Sequence, residues 1–168
     1  MIKVVSLFSG IGGLDLGIES LGKFKTILMV ENEPFCQRIL AKRFPKTKII
    51  SDIREVDGKE LRGKADVVMG GFPCQPFSVA GRQKGKEDNR YLWPEMLRII
   101  TNIKPRIVIG ENVPGITNLQ GGLETCVADL ENQGYKVQCF NLPACGWKAL
   151  HRRYRIFILA ALVNTDNI

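Results

Sequence analysis

The chain has 168 residues, 45% of them hydrophobic and 24% charged, which is enough for one domain with its own core and too few for a second full domain. Its net charge of +7 favours a polyanionic partner, while five cysteines and one histidine form neither a CxxC pair nor a zinc-ligand cluster, so no metal site is expected. No charged-then-apolar leader precedes Val4 and no apolar run approaches the ~18 residues of a membrane span, which together with the odd cysteine count reads as a cytoplasmic protein with reduced thiols.

Short β-branched runs alternate with longer amphipathic stretches, the pattern of a parallel sheet covered by helices. Strands are expected near 3–7, 25–30, 47–50, 66–70, 106–110, 135–142 and 155–162, and helices over 12–21, 34–43, 91–103 and 121–133. Gly22 and Gly134 are placed to close two helices in the left-handed conformation, and Pro105 marks the end of a third. The segment from about 71 to 90 has no periodic pattern and contains Gly71, Gly81 and Gly85; a loop of that length in a compact domain is usually functional or disordered.

Phe8-Ser9-Gly10-Ile11-Gly12-Gly13 follows the first strand and opens a helix, so backbone amides can approach a ligand without side-chain obstruction. The Lys-Ser/Thr ending of a P-loop is missing, which disfavours ATP or GTP hydrolysis. Glu31, ending the second strand about twenty residues later, is placed either to accept from ribose hydroxyls or simply to be solvated. After the fourth strand comes Pro73-Cys74-Gln75-Pro76-Phe77-Ser78, with a thiol suited to nucleophilic attack or to filling a small apolar space. Glu111-Asn112-Val113 ends the fifth strand, and Arg153-Tyr154-Arg155 precedes the last. Two basic clusters stand out: Arg82, Lys84, Lys86 and Arg90 just after the cysteine, and Lys148, Arg152, Arg153 and Arg155 ahead of the last strand; both can face phosphates.

These four motifs, in this order and at the ends of expected strands, resemble the motif set of the DNA cytosine C5-methyltransferases across nearly the whole chain. The resemblance implies a Rossmann-like fold with a mostly parallel seven-stranded sheet and helices on both faces. It makes residues 1–163 a catalytic domain and 164–168 a flexible tail. The implied cofactor is S-adenosylmethionine, contacted by Phe8, Gly10, Ile11, Gly13, Glu31, Asn32, Asp52, Ile53, Pro73 and Leu92. Within that set Asp52 would meet the adenine amine and Ile53 the ring face. Asn32 stands where relatives carry a larger stacking side chain, which implies weaker cofactor affinity.

The implied reaction is methylation of cytosine carbon 5 in DNA. Cys74 would attack C6, Glu111 would meet the N3/N4 edge and Arg153 would stabilise O2, with Arg155 beside it; Asn112 and Val113 would hold the cysteine loop. Ser78, Arg82, Lys84, Lys86 and Arg90 belong to a loop that in the family closes over duplex DNA after the target base is flipped. The Cys-Phe-Thr signature of an RNA-directed branch is absent, which favours DNA.

Two departures stand out. Leu150-His151 replaces the family's Pro-Gln, and the target-recognition region and terminal helix of relatives are not present in this sequence. The expectation is a truncated or split enzyme, completed by a second polypeptide or a homodimer. That partner would cover apolar side chains left exposed on strands 3–7 and 25–30 and the helix at 12–21. A catalytically silent cofactor- or DNA-binding remnant is the alternative, and a nicotinamide dehydrogenase a distant third that explains neither Pro73-Cys74 nor Glu111-Asn112.

Overall fold

The computed structural model describes residues 1–73, 91–118 and 122–163. Seven strands form one sheet: β1 (Ile2–Leu7), β2 (Phe24–Val30), β3 (Lys48–Ile50), β4 (Val67–Gly70), β5 (Ile107–Asn112), β6 (Tyr135–Pro143) and β7 (Tyr154–Leu162). Their spatial order is β3-β2-β1-β4-β5-β7-β6, with β7 antiparallel to both its neighbours and the rest parallel. The sheet is therefore mixed, and the chain order reverses between β1 and β4, where open α/β sheets place their ligand crevice.

Four helices connect the strands: α1 (Gly13–Glu19), α2 (Pro34–Arg43), α3 (Trp93–Ile103) and α4 (Leu123–Asn132). Three are shorter than the periodicity suggests, for local reasons. In α1 the Ser20 hydroxyl donates back to the Gly17 carbonyl at 2.7 Å and the chain turns through Gly22 at φ 72°. In α3 the start moves to Trp93, because Pro94 fits the first helical turn, where no intrahelical N–H is needed. In α4 the helix stops at Asn132 and Gly134 takes the left-handed conformation at φ 82°. The end of α3 is set one residue before Pro105, by Lys104 at φ 55°. Single-turn 3-10 helices at Ile53–Glu55 and Lys59–Leu61 fill the β3–β4 connection.

The main core lies on the face covered by α3 and α4. Val5, Leu7, Val68, Val108, Ile156, Ile158 and Ala160 from the sheet pack there with Trp93, Met96, Ile99, Ile100, Ile103, Cys126 and Leu130. On the opposite face α1 presses Leu14 and Ile18 toward Val4, Val67 and Met69, and α2 closes Leu40 and Phe44 over Met29. The expectation of an exposed apolar surface on β1 and β2 is overturned. Val4, Val5 and Leu7 are 0% exposed and Leu28 is 5% exposed, because α1 packs over Val4 on one face while Val5, Leu7 and Leu28 lie in the main core on the other. The exposed apolar side chains include Ile11 just before α1, Leu16 within it, Leu21 just beyond it, and Leu159 on β7.

One acid is buried within this packing. Asp15, in the first turn of α1, accepts from the Ser6 hydroxyl at 3.0 Å and from the Thr26 hydroxyl at 3.1 Å, and the Ser9 hydroxyl donates in turn to Ser6 Oγ at 3.0 Å. Burial pushes the Asp15 carboxyl up from its ordinary value, the two hydroxyl donors hold it down in part, and Glu19 adds a smaller upward push. An unfolded aspartate loses its proton near 3.8 while the folded one keeps it to higher pH, so wild-type stability falls as pH rises through that window. Asp15→Asn lacks this loss. Its urea-unfolding free energy should therefore improve relative to wild type as pH rises above the ordinary aspartate value; a difference constant with pH would show that Asp15 titrates normally.

Candidate functional site

Five parallel strands, β1 to β5, end on the same edge, and the residues beyond them form the candidate site. Beyond β1 the chain reverses through Phe8 at φ 54°, Gly10 at φ 55° and Gly12 at φ 83°. A Cβ on Gly12 would lie 2.6 Å from the Phe44 ring, so close packing on α2 as well as its φ demands glycine there. A Cβ on Gly10 or Gly13 would meet nothing within 4 Å, which leaves the outer side of the turn open. Phe8 at this φ is a non-glycine residue in a sparsely populated region, a form of strain that clusters at ligand sites.

Glu31, beyond β2, is 9% exposed and not solvated. Its Oε2 accepts from the Gly10 N–H at 2.7 Å and its Oε1 from the Glu33 N–H at 2.8 Å. The carboxylate therefore clamps the glycine turn to the start of α2, and each oxygen keeps a further lone pair for a ligand hydroxyl. Gln37 supports it by donating to the Glu31 carbonyl at 2.6 Å and to Ser51 Oγ at 3.0 Å. Asn32 is exposed.

Asp52 caps the turn after β3, accepting from the Arg54 N–H at 2.9 Å. Ile53 is 4% exposed and belongs to the main core, so little of its side chain is left to meet a ring. Arg98, on α3, fixes this turn by donating to the carbonyls of Ile53 at 3.0 Å and Val56 at 3.1 Å, with its Nε on Glu95. Nothing in the sequence marks Arg98, since its role depends on α3 lying across the β3–β4 connection.

The carboxylate that the sequence motif singles out is at the end of β5. Glu111 Oε1 lies 2.8 Å from Arg155 Nε, in an ion pair with both side chains about three-quarters buried. Its Oε2 would lie 2.9 Å from a Cβ on Gly71, so glycine there lets the carboxylate lie against the β4 exit. Asn112, 3% exposed, donates from Nδ2 to the Phe72 carbonyl at 3.0 Å and accepts from the Val113 N–H at 2.9 Å. It thus ties the end of β5 to the backbone just beyond β4, while the cysteine loop it is expected to hold lies outside the described residues. Pro73 and Leu92 are both half-buried, Leu92 as the cap of α3.

Arg155 is the guanidinium that meets Glu111; Arg153 is exposed, at φ 21°, with no ion pair among the described residues. Cys74, Ser78, Arg82, Lys84, Lys86 and Arg90 lie outside the described residues, as does the tail 164–168. Among the described residues no cluster of side chains is suited to a metal ion, and no helix is long and apolar enough to cross a membrane.

Comparison with known proteins identifies the family and the fold. Residues 2–167 match the family described as C-5 cytosine-specific DNA methylase. The type II methyltransferase M.PspPI of a Psychrobacter species is 42% identical over 169 residues, an alignment covering 98% of this chain and 40% of that protein. M.AquIA, a type II methyltransferase of a Picosynechococcus species, is 38% identical over 176 residues, covering 94% of this chain and 71% of that one. Among solved structures, a mutant DNMT2 of Spodoptera frugiperda superposes with a TM-score of 0.82 at 22% identity, over 99% of this chain and 51% of that one. A putative DNA modification methyltransferase from an Escherichia coli prophage gives 0.80 at 25% identity, over 96% and 47%. The chain thus spans about two-fifths of the length of the Psychrobacter relative.

The clamp is testable without any ligand. Glu31→Ala strands two backbone N–H groups and should lower the unfolding free energy by about 1.5–3 kcal/mol, whereas Glu31→Gln, which keeps one acceptor oxygen, should lose less. Urea titration showing Glu31→Ala as stable as wild type would remove the clamp.

Proposed function

Because the chain belongs to the C-5 cytosine-specific DNA methylase family, we propose that it carries out methyl transfer to carbon 5 of cytosine in DNA, with S-adenosylmethionine as donor and a base flipped from the duplex as acceptor. The observation that supports this best is the meeting of Glu111, Arg155 and Asn112 at the carboxyl end of β5, against the backbone that runs into Pro73-Cys74. A structural cysteine would need no such company.

The glycine turn fits the cofactor: its outer side is open at Gly10 and Gly13, and the Glu31 carboxylate beneath it has lone pairs to spare. Phe8, Gly10, Ile11, Gly13, Glu31, Asn32, Asp52, Ile53, Pro73 and Leu92 would line that pocket. Bound there, S-adenosylmethionine supplies an electrophilic methyl group on sulfonium. The chain's own residues do the rest. The Cys74 thiolate forms a bond to C6, and the ring electrons pushed toward N3 are met by a proton or hydrogen bond from Glu111. Arg155 holds Glu111 in place, and Arg153 is free to meet O2. C5 then becomes the nucleophile; once it carries the methyl group, its proton leaves to a base and the electron pair expels the thiolate.

Two observations favour a dependent role for this chain. Ile53 is buried in the core and Asn32 is exposed, so the adenine pocket offers little apolar surface and cofactor affinity is low. Two residues on one face of β7 are also open: Leu159 is 41% exposed and Ala161 exposed, beside Ile109 and Ile107 of β5. A helix supplied by a second polypeptide or a second copy of this chain would cover them, and the same partner would choose the DNA sequence. Without it the chain acts as a binding subunit with little turnover.

Covalent trapping tests the chemistry. The chain, with its partner where one is required, should form a stable adduct with 5-fluorocytosine duplex DNA in the presence of S-adenosylmethionine, because fluorine cannot leave as the C5 proton does. Cys74→Ser should abolish the adduct on a denaturing gel; an undiminished yield would sink the assignment of the nucleophile.

A further inference from the structure

Between β6 and β7 the chain forms a hairpin tip, residues 144–153, of which the catalytic reading uses only Arg153. A 3-10 turn at Ala144–Trp147 opens it, and the Ala144 N–H closes it on the carbonyls of Arg152 at 2.9 Å and Arg153 at 3.2 Å. β7 pairs with β5 so that Ile156 faces Asn112, which puts the tip on the sheet edge that carries Glu111. Its side chains point outward. Trp147 is 68% exposed, Leu150 is fully exposed, and Lys148, His151, Arg152 and Arg153 are exposed as well.

Three features set this surface apart from an ordinary polar loop. No carboxylate occurs between Glu131 and Asp166, and among the described residues Lys148, Arg152 and Arg153 make no ion pair, so their charge is available. Two non-glycine residues, Lys148 at φ 67° and Arg153 at φ 21°, hold the backbone at positive φ, and conformations of this kind gather at ligand contacts. An indole left in water beside unpaired cations is the combination that binds nucleic acid strands, where bases stack on an aromatic face while phosphates meet the cations.

We propose that the β6–β7 tip is a DNA-contacting surface, in which Trp147 stacks on a base unstacked near the target cytosine while Lys148 and Arg152 hold the flanking phosphates. The inference rests on the reading of the chain as a DNA cytosine methyltransferase and adds a part to it. Flipping a base out of a duplex breaks its stacking on both neighbours, and an indole beside the site recovers part of that loss. Leu150 widens the apolar surface next to the ring.

The two tryptophans make the test direct, since Trp93 is 1% exposed and hydrogen-bonded to Asp129 while Trp147 is open to water. In the free chain, acrylamide should quench one emitter readily and the other hardly at all. A duplex carrying one mismatched cytosine should then quench and protect the accessible emitter, reversibly with salt. By anisotropy of the labelled duplex, Trp147→Ala should weaken binding about tenfold at an unchanged salt slope, and Trp147→Phe should restore most of it. Lys148→Ala with Arg152→Ala should instead reduce the slope of log affinity against log salt by about one to two. Full affinity in Trp147→Ala, or DNA binding without change at the exposed indole, overturns the proposal and leaves the methyltransferase reading standing. Preference for a matched RNA, or an indole already shielded in the free chain, overturns it too. Absence of any DNA binding by the wild-type chain overturns both.

Discussion

A buried carboxylate holding backbone amides is the interaction on which the rest of the site depends. The glycine turn after β1 must be free of side chains to receive a ligand, and a turn of that kind has little of its own to keep its shape. Glu31 supplies the restraint from the neighbouring strand, with one oxygen on the Gly10 N–H and the other on the Glu33 N–H. The interaction is charge-assisted and nearly excluded from water, so it is stronger than a neutral hydrogen bond of the same length. Behind it, the Asp15, Ser6, Ser9 and Thr26 side chains satisfy one another inside the packing of α1 on the sheet. A ligand therefore meets a turn whose geometry is already set.

A second tie of the same kind works at the other side of the crevice. Asn112 spends its amide on the Phe72 carbonyl, joining the ends of β5 and β4 beyond the last ladder bond. Glu111, one residue earlier and therefore on the opposite side of the strand, is left to face Gly71 and Arg155. Strand alternation thus sets adjacent residues to different tasks: Asn112 is buried and ties the backbone, while Glu111 is partly open and paired with Arg155. Because β7 runs antiparallel, its beginning lies at the carboxyl end of β5, which is how Arg155 reaches Glu111 from a distant part of the sequence.

Most of the sheet was legible in the sequence because parallel strands buried on both faces read as continuous apolar runs, as in Val4-Val5 and Val67-Val68-Met69. The glycine turn, Glu111 and Asn112 were legible because their chemistry needs particular residue types at strand ends. Glu31 was half legible: its position announced a role at the turn, but a backbone clamp cannot be told from a solvated acid without knowing how near Gly10 comes. Asp15 and Arg98 were hidden, since each acts on segments brought close only by folding. Helix ends moved by a few residues where a serine hydroxyl or a proline overrode the apolar period.

β7 carries the remaining tension between sequence and structure. Ile156-Phe157-Ile158-Leu159-Ala160-Ala161-Leu162 has no polar residue on either face, the composition of a strand covered on both sides. In the structure its even residues, Ile156, Ile158 and Ala160, are buried against α3 and α4, while Leu159 and Ala161 on the other face are exposed. An edge or half-solvated antiparallel strand normally alternates apolar with polar, and β6, its neighbour, does place Lys136 and Gln138 opposite Ala161 and Leu159. The apolar strip is therefore narrow, bounded by β6 on one side and continuous with Ile107 and Ile109 on the other, where it meets Leu14 and Ile18 of α1. An apolar strip rimmed by polar side chains has the composition of a surface that is covered rather than one adapted to water, and that is where the sequence of β7 and its exposure part company.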